Sequence, residues 1–201
     1  MSVGGTASYE HEPDLPDLVR RAVELARTRQ FEFSCRPPQG RLLSILAAAR
    51  SGGRIGETGT GCGVGLAWMV SSADSSTTFV SAELDADRAA AAATLFAAHA
   101  NVTVLGGDWR QIRDHGPFDL LVLDGGGSGK TPGDEPVDPQ ALLRPGGGLV
   151  IDDFTPWDTW PPMMDGDVDH ARLHWLEHPD LLASEIQVHP HMSTIVAVRR
   201  N

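Results

Sequence analysis

Four consecutive apolar residues, Leu120-Leu121-Val122-Leu123, leave a strand no face to turn toward water. Such a strand is stable only inside a parallel sheet with helices on both sides. The surrounding pattern asks for the same architecture. Strand-like runs at residues 54–58, 77–83, 102–105, 118–124 and 148–152 alternate with helical stretches at 65–71, 86–100 and 139–143 and a short turn at 109–113. That alternation predicts an α/β, doubly wound, mostly parallel sheet. Upstream, Leu18, Val19, Ala22, Leu25 and Ala26 recur at helical spacing from a start near Asp17. Pro37-Pro38 is expected to break the chain, and a second helix over 40–49 to end at Gly52-Gly53. Near the end, strands at 185–189 and 194–198 flank Pro190-His191-Met192-Ser193. They read as a C-terminal antiparallel hairpin, which brings the sheet to seven strands.

A chain of 201 residues is one domain's worth of polypeptide. Residues 1–14, polar and rich in Gly and Ser, are expected to form a flexible N-terminus, and 15–201 a single domain. The formal net charge of −11 disfavours DNA, bulk RNA and anionic membrane as partners and favours a small molecule. The start lacks a basic segment followed by an apolar run, and no stretch approaches the roughly 18 apolar residues of a membrane span. A cytoplasmic location is therefore expected, with Cys35 and Cys62 as free thiols. A homodimer is compatible with the chain, whose oligomeric state the residues do not specify.

The most informative segment is Glu57-Thr58-Gly59-Thr60-Gly61-Cys62-Gly63-Val64-Gly65, between the first strand of the sheet and a helix. Alternate glycines let the backbone turn sharply against a ligand, and the following helix start offers free N–H groups. A dinucleotide fingerprint needs Gly where this chain has Val64 or Leu66, so NAD is disfavoured. Glu83, with Leu84 beside it, ends the second strand, where an acid can accept both hydroxyls of a ribose. After the third strand comes Gly106-Gly107-Asp108-Trp109, in which Trp109 is either a stacking surface for a base or a core residue.

An acidic residue before G-x-G-x-G resembles motif I of the class I S-adenosylmethionine (SAM) dependent methyltransferases. The stretches Phe118-Asp119-Leu120-Leu121-Val122-Leu123-Asp124 and Leu142-Leu143-Arg144-Pro145-Gly146-Gly147-Gly148-Leu149-Val150-Ile151-Asp152-Asp153-Phe154 resemble motifs after the fourth and fifth strands. With Pro38-Gln39-Gly40-Arg41-Leu42-Leu43, they are similar to the catechol and caffeoyl-coenzyme A O-methyltransferase group over residues 30 to 200. The resemblance implies a Rossmann-like methyltransferase fold and a SAM site of Glu57, Gly59, Thr60, Gly61, Cys62, Gly63, Glu83, Leu84, Asp108, Trp109 and Asp124. It also implies Mg²⁺ or another divalent cation on Asp124, Asp152 and Asp153, the last replacing the family's Asn. The group's Lys lies three residues past the fourth-strand Asp, where this chain has Gly127. Lys130, six residues past Asp124, is the catalytic candidate beside Asp124, and it reaches the site only if the loop folds back.

Pro132, Gly133 and Pro136 prevent the helix a phosphate loop would need after Lys130, which excludes an ATPase. Trp157, Trp160, Met163 and Met164 follow the fifth strand and are expected near the acceptor pocket. His170, His174 and His178 share a helical spacing that suits a solvated face or a metal. The leading expectation is metal-assisted O-methylation of a small hydroxylated acceptor. The alternatives are tRNA methylation, a nucleotide-binding protein without methyl transfer, and an NAD-dependent oxidoreductase.

Overall fold

The computed structural model describes residues 4–201. Strands β1 (Arg54–Thr58), β2 (Thr78–Glu83), β3 (Val102–Gly106), β4 (Phe118–Leu123) and β5 (Leu143–Phe154) are all parallel. A two-stranded flap, β6 (Met163–Met164) and β7 (Asp167–Val168), follows β5, and the chain ends in β8 (Leu181–His189) and β9 (Met192–Arg199). The main sheet has the order β3-β2-β1-β4-β5-β9-β8, with β9 antiparallel to both β5 and β8. The expected doubly wound sheet with a C-terminal hairpin is the observed one. Its parallel register brings the ends of β1, β2, β4 and β5 to one edge.

The apolar run of β4 is divided between two cores. Leu120 and Val122 face α1 (Asp17–Thr28), α2 (Pro37–Ala48), α3 (Val64–Ser72) and α4 (Ala86–Leu95), with Val19, Ala22, Leu66 and Met69 in the same cluster. Leu121 and Leu123 point the other way, toward Trp109, Ile112, Leu142 of α5 (Pro139–Leu142) and Trp175 of α6 (His170–Leu176). Each of the four is at most 1% exposed, so each contributes about 1.5–3 kcal/mol of burial. A polar side chain at any of them would lose this on whichever side it faced.

Several local expectations are corrected by tertiary contacts. Pro37 and Pro38 do not break the chain but open α2, where the first helical positions need no N–H donor. The Ala-rich helix expected to reach residue 100 stops at Leu95. Beyond it the buried Phe96 accepts from the His99 N–H, and the Asn101 amide donates to the Thr77 carbonyl at 2.7 Å, turning the chain into β3. β5 runs from 143 to 154 rather than 148 to 152, absorbing Pro145-Gly146-Gly147 through an irregularity opposite β4.

The N-terminal segment is anchored from residue 4 onward rather than frayed, and residues 1–3 lie outside the described part. The Thr6 hydroxyl donates to the Phe31 carbonyl at 2.6 Å, and the buried Tyr9 hydroxyl donates to the Cys35 carbonyl at 2.9 Å. Trp68 Nε1 donates to the same Tyr9 oxygen at 2.9 Å. Composition says nothing of these contacts because the partners are 20 to 60 residues away.

Candidate active site

A cavity of about 750 Å³ opens along the edge where β1, β2 and β4 end. At one end it is lined by Glu57, Gly59, Thr60, Gly61, Cys62, Glu83, Leu84, Asp108 and Trp109, and at the other by Asp124, Lys130, Asp153, Phe154, Met164 and Arg172. Nearly all of the site residues expected from sequence thus meet in one space. Gly63 and Asp152 are the exceptions: neither lines the cavity, and Gly63 instead caps α3 in the left-handed conformation, at φ +87°.

The loop after β1 is shaped by close backbone approach. Gly59 has φ +86°, and a Cβ there would lie 2.6 Å from the Gly125 nitrogen in the loop after β4. Only glycine lets these two crossing loops pack, so they form one continuous floor. Glu57 lies beneath it, 2% exposed, with Oε2 accepting from the Ser81 hydroxyl at 2.5 Å. Burial, opposed by that hydrogen bond and reinforced by Glu83, raises its carboxyl pKa to about 7.

Glu83 is held through both oxygens. Oε2 accepts from the Gly61 N–H at 2.7 Å, while Oε1 accepts from the Asp85 N–H at 3.0 Å and from Arg88 Nε and Nη2 at 3.1 and 2.8 Å. Arg88 also lies 5.4 Å from the centroid of Phe31, a ring that packs on Gly61 and lines the cavity. Neither Phe31 nor Arg88 was expected from sequence. The one available signal was Asp85 as the cap of α4, which puts Arg88 in the first turn beside Glu83.

Asp108 caps the 3-10 turn Trp109–His115, accepting from the Arg110 N–H at 2.8 Å, and that bond holds its carboxyl below the usual range. Trp109 turns out to be core and cavity wall at once. Its indole is 9% exposed, joins the second core and packs against Gly126, with Arg110 and Arg113 at 5.0 and 5.2 Å from the ring.

At the far end Asp124 follows β4 directly. Burial, then Asp152, Asp153 and Glu57, push its carboxyl well above the normal range, with Lys130 opposing them. Asp152, 2% exposed, is raised to about 7, by burial first and Asp153 second. Its Oδ1 accepts from the Asp153 N–H at 2.7 Å, and Asp153 adopts a left-handed φ of 60°.

These carboxylates feel one another but do not form the expected ligand set: among the described residues, no three His, Cys, Asp or Glu converge as metal donors. Asp152 is turned into the protein and its Oδ1 is already engaged, so the donor set does not fit a divalent cation held by all three acids. Among the histidines, His174 and His178 pair with each other and with Trp175 through ring contacts at 4.8 to 6.2 Å.

Lys130 does reach the site, because its loop folds back. The Asp134 carboxylate accepts the N–H groups of Gly127, Ser128 and Gly129 at 2.7, 3.0 and 2.8 Å, a backbone concavity closed by an internal anion. Trp175 Nε1 holds the Ser128 carbonyl at 2.8 Å, and the Val137 N–H holds that of Gly127 at 2.9 Å. Lys130 Nζ then donates to the Asp152 carbonyl and lies 5.0 Å from the centroid of Phe154. Asp134 was missed from sequence because nothing local marks a carboxylate that folds back on glycines five to seven residues earlier.

Of the apolar loop after β5, Met164 lines the cavity, whereas Trp157 and Trp160 do not. Trp157 donates from Nε1 to Glu185 Oε2 at 2.6 Å and faces, with Trp160, a separate groove beside β8. Met163, beside Met164 in the flap, does not line the cavity either.

Comparison with known proteins agrees with this geometry. Residues 57–154 match the family model described as a methyltransferase domain, from the motif I acid to the end of β5. In structure the chain is similar to the O-methyltransferase TomG from Streptomyces achromogenes, solved with SAM, at 21% identity and TM-score 0.71. That match covers 98% of this chain and 96% of that one. It is also similar to the O-methyltransferase from Bacillus cereus in complex with SAH, at 18% identity, TM-score 0.73 and the same two coverages. The Podospora anserina methyltransferase PaMTH1, SAH-bound, matches at 20% identity and TM-score 0.71, over 97% of this chain and 93% of that one. No curated protein matches the sequence. The chain thus carries a segment similar to a methyltransferase domain, on the fold shared by these structures. No helix among the described residues is long and apolar enough to cross a membrane.

Proposed function

We propose that this enzyme transfers the methyl group of SAM to a hydroxyl oxygen of a small, uncharged acceptor. The observation that carries the reading is the single cavity joining Glu57, Glu83 and Trp109 at one end to Asp124 and Lys130 at the other. Two structural relatives are O-methyltransferases solved with SAM or SAH, which supports oxygen as the acceptor atom. In this reading the ribose hydroxyls lie on Glu83, the methionine part along Gly59 to Gly63 above Glu57, and the adenine between Asp108 and Trp109. The sulfonium methyl then faces the end of β4.

Methyl transfer requires the acceptor oxygen in line with the S–CH₃ bond and rid of its proton. As the O–CH₃ bond forms, the S–CH₃ electron pair stays on sulfur, and the hydroxyl proton passes to Asp124. A carboxylate whose proton affinity is raised by burial and neighbouring acids suits that task. Lys130, held at the Asp152 carbonyl, offsets the negative charge around the departing proton. The acidic lining, Asp124, Asp134, Asp153 and Asp169 against Lys130 and Arg172, disfavours polyanions such as tRNA.

Calorimetry with SAH and NADH, followed by radiolabelled transfer from SAM to a panel of catechols and hydroxylated aromatics or to tRNA, tests the reading. SAH is expected to bind and NADH not to, with methyl appearing on the small phenols. Tighter binding of NADH, or faster transfer to tRNA, overturns it.

A further inference from the structure

The expected ligands do not converge as a metal site, yet Asp124, Asp152 and Asp153 crowd the ends of β4 and β5, and one ammonium is delivered to them. We propose that Lys130 supplies their countercharge: its ammonium, delivered by a loop that Asp134 pins, takes the place of a divalent cation at this cluster. The position of the charge rests on structure alone, and its use in methyl transfer rests on the function proposed above.

Three observations carry the inference. First, Asp152 is withdrawn from the cavity with Oδ1 on a backbone N–H, so Asp124 and Asp153 are the acids of the triad that line the space. Second, Lys130 Nζ is fixed on the Asp152 carbonyl and against the Phe154 ring, and its charge bears on both Asp124 and Asp152. Third, the loop is built to hold it there. One carboxylate gathers three successive N–H groups, and the adjacent Ser128 is 2% exposed with its carbonyl on Trp175. A flexible Gly-rich loop would leave a lysine in water, whereas this one commits a partly buried carboxylate to its own backbone and brings the ammonium inward. Asp134 is thus a positioning residue for Lys130.

The two cations compete for one negative potential, so removing the ammonium opens the cluster to metal. Titration with Mn²⁺ followed by electron paramagnetic resonance reads this without an acceptor. Wild type and K130R are expected to bind Mn²⁺ no tighter than millimolar. K130M should bind at least tenfold tighter, and D134A, which frees the loop, should move in the same direction. Micromolar Mn²⁺ binding by the wild type overturns the proposal. So does a folded K130M with unchanged affinity, and a D134A variant indistinguishable from wild type removes the pin. SAH calorimetry on the wild type runs alongside: loss of SAH binding there counts against the methyltransferase site and leaves the Mn²⁺ comparison to decide the charge.

Discussion

Replacing Glu57 by Gln tests the electrostatics beneath the Gly loop. The buried carboxyl titrates at about 7 against 4.5 for the ordinary group. A difference of about 2.5 units corresponds to roughly 3 kcal/mol. Because the folded state holds the proton more tightly than the unfolded state, stability is lost as pH rises from 4.5 through 7. Below that window Glu57 is protonated in both states and Gln is nearly isosteric with it. Above it, the wild type carries a buried anion that the variant lacks. E57Q should therefore melt within about a degree of wild type at pH 4.5 and higher at pH 8.5. For a chain of this length, with roughly 2–4 °C per kcal/mol, the gain is about 6–12 °C. Differential scanning calorimetry across the pH range, without SAM, measures it. An equal shift at both pH values would show that the carboxyl is not titrating in this window, and the desolvation argument would fall.

Two further outcomes follow from the contacts. R88A frees one side of the Glu83 carboxylate, and SAH binding should weaken by about 1–2 kcal/mol in calorimetry. Adenosine should lose correspondingly more than 2′,3′-dideoxyadenosine, and equal losses would place Arg88 outside ribose recognition. Y9F leaves Trp68 Nε1 without its acceptor in a buried place and should cost about 1–3 kcal/mol in denaturant unfolding, whereas a freely mobile N-terminus would make it neutral.

How much was legible depends on the range of the interaction involved. The Gly59-x-Gly61 loop, Glu57 and Glu83 were readable because local spacing and strand order suffice to put them on one sheet edge. Asp108 and Trp109 were readable for the same reason, although Trp109 could not be divided between wall and core until its neighbours Gly126 and Leu123 were in place. Arg88 was invisible, since a surface-type residue in a helix's first turn becomes a site residue only through the strand beside it. The Trp and Met residues after β5 looked equivalent in sequence, yet Met164, in the flap, lines the cavity while Trp157 is bonded to Glu185.

By itself the sequence determined the layers. Apolar runs such as 120–123 must be covered on both faces, and burial of that kind is decided by composition within a few residues. Tertiary structure alone decided where the charges went. Lys130, Asp134, Asp152 and Asp153 are an unremarkable scatter along the chain, and the arrival of the Lys130 ammonium at the Asp152 carbonyl is a contact across 22 residues. Charge energies depend on distance and burial in three dimensions, so the order of residues along the chain does not contain them until the fold is known.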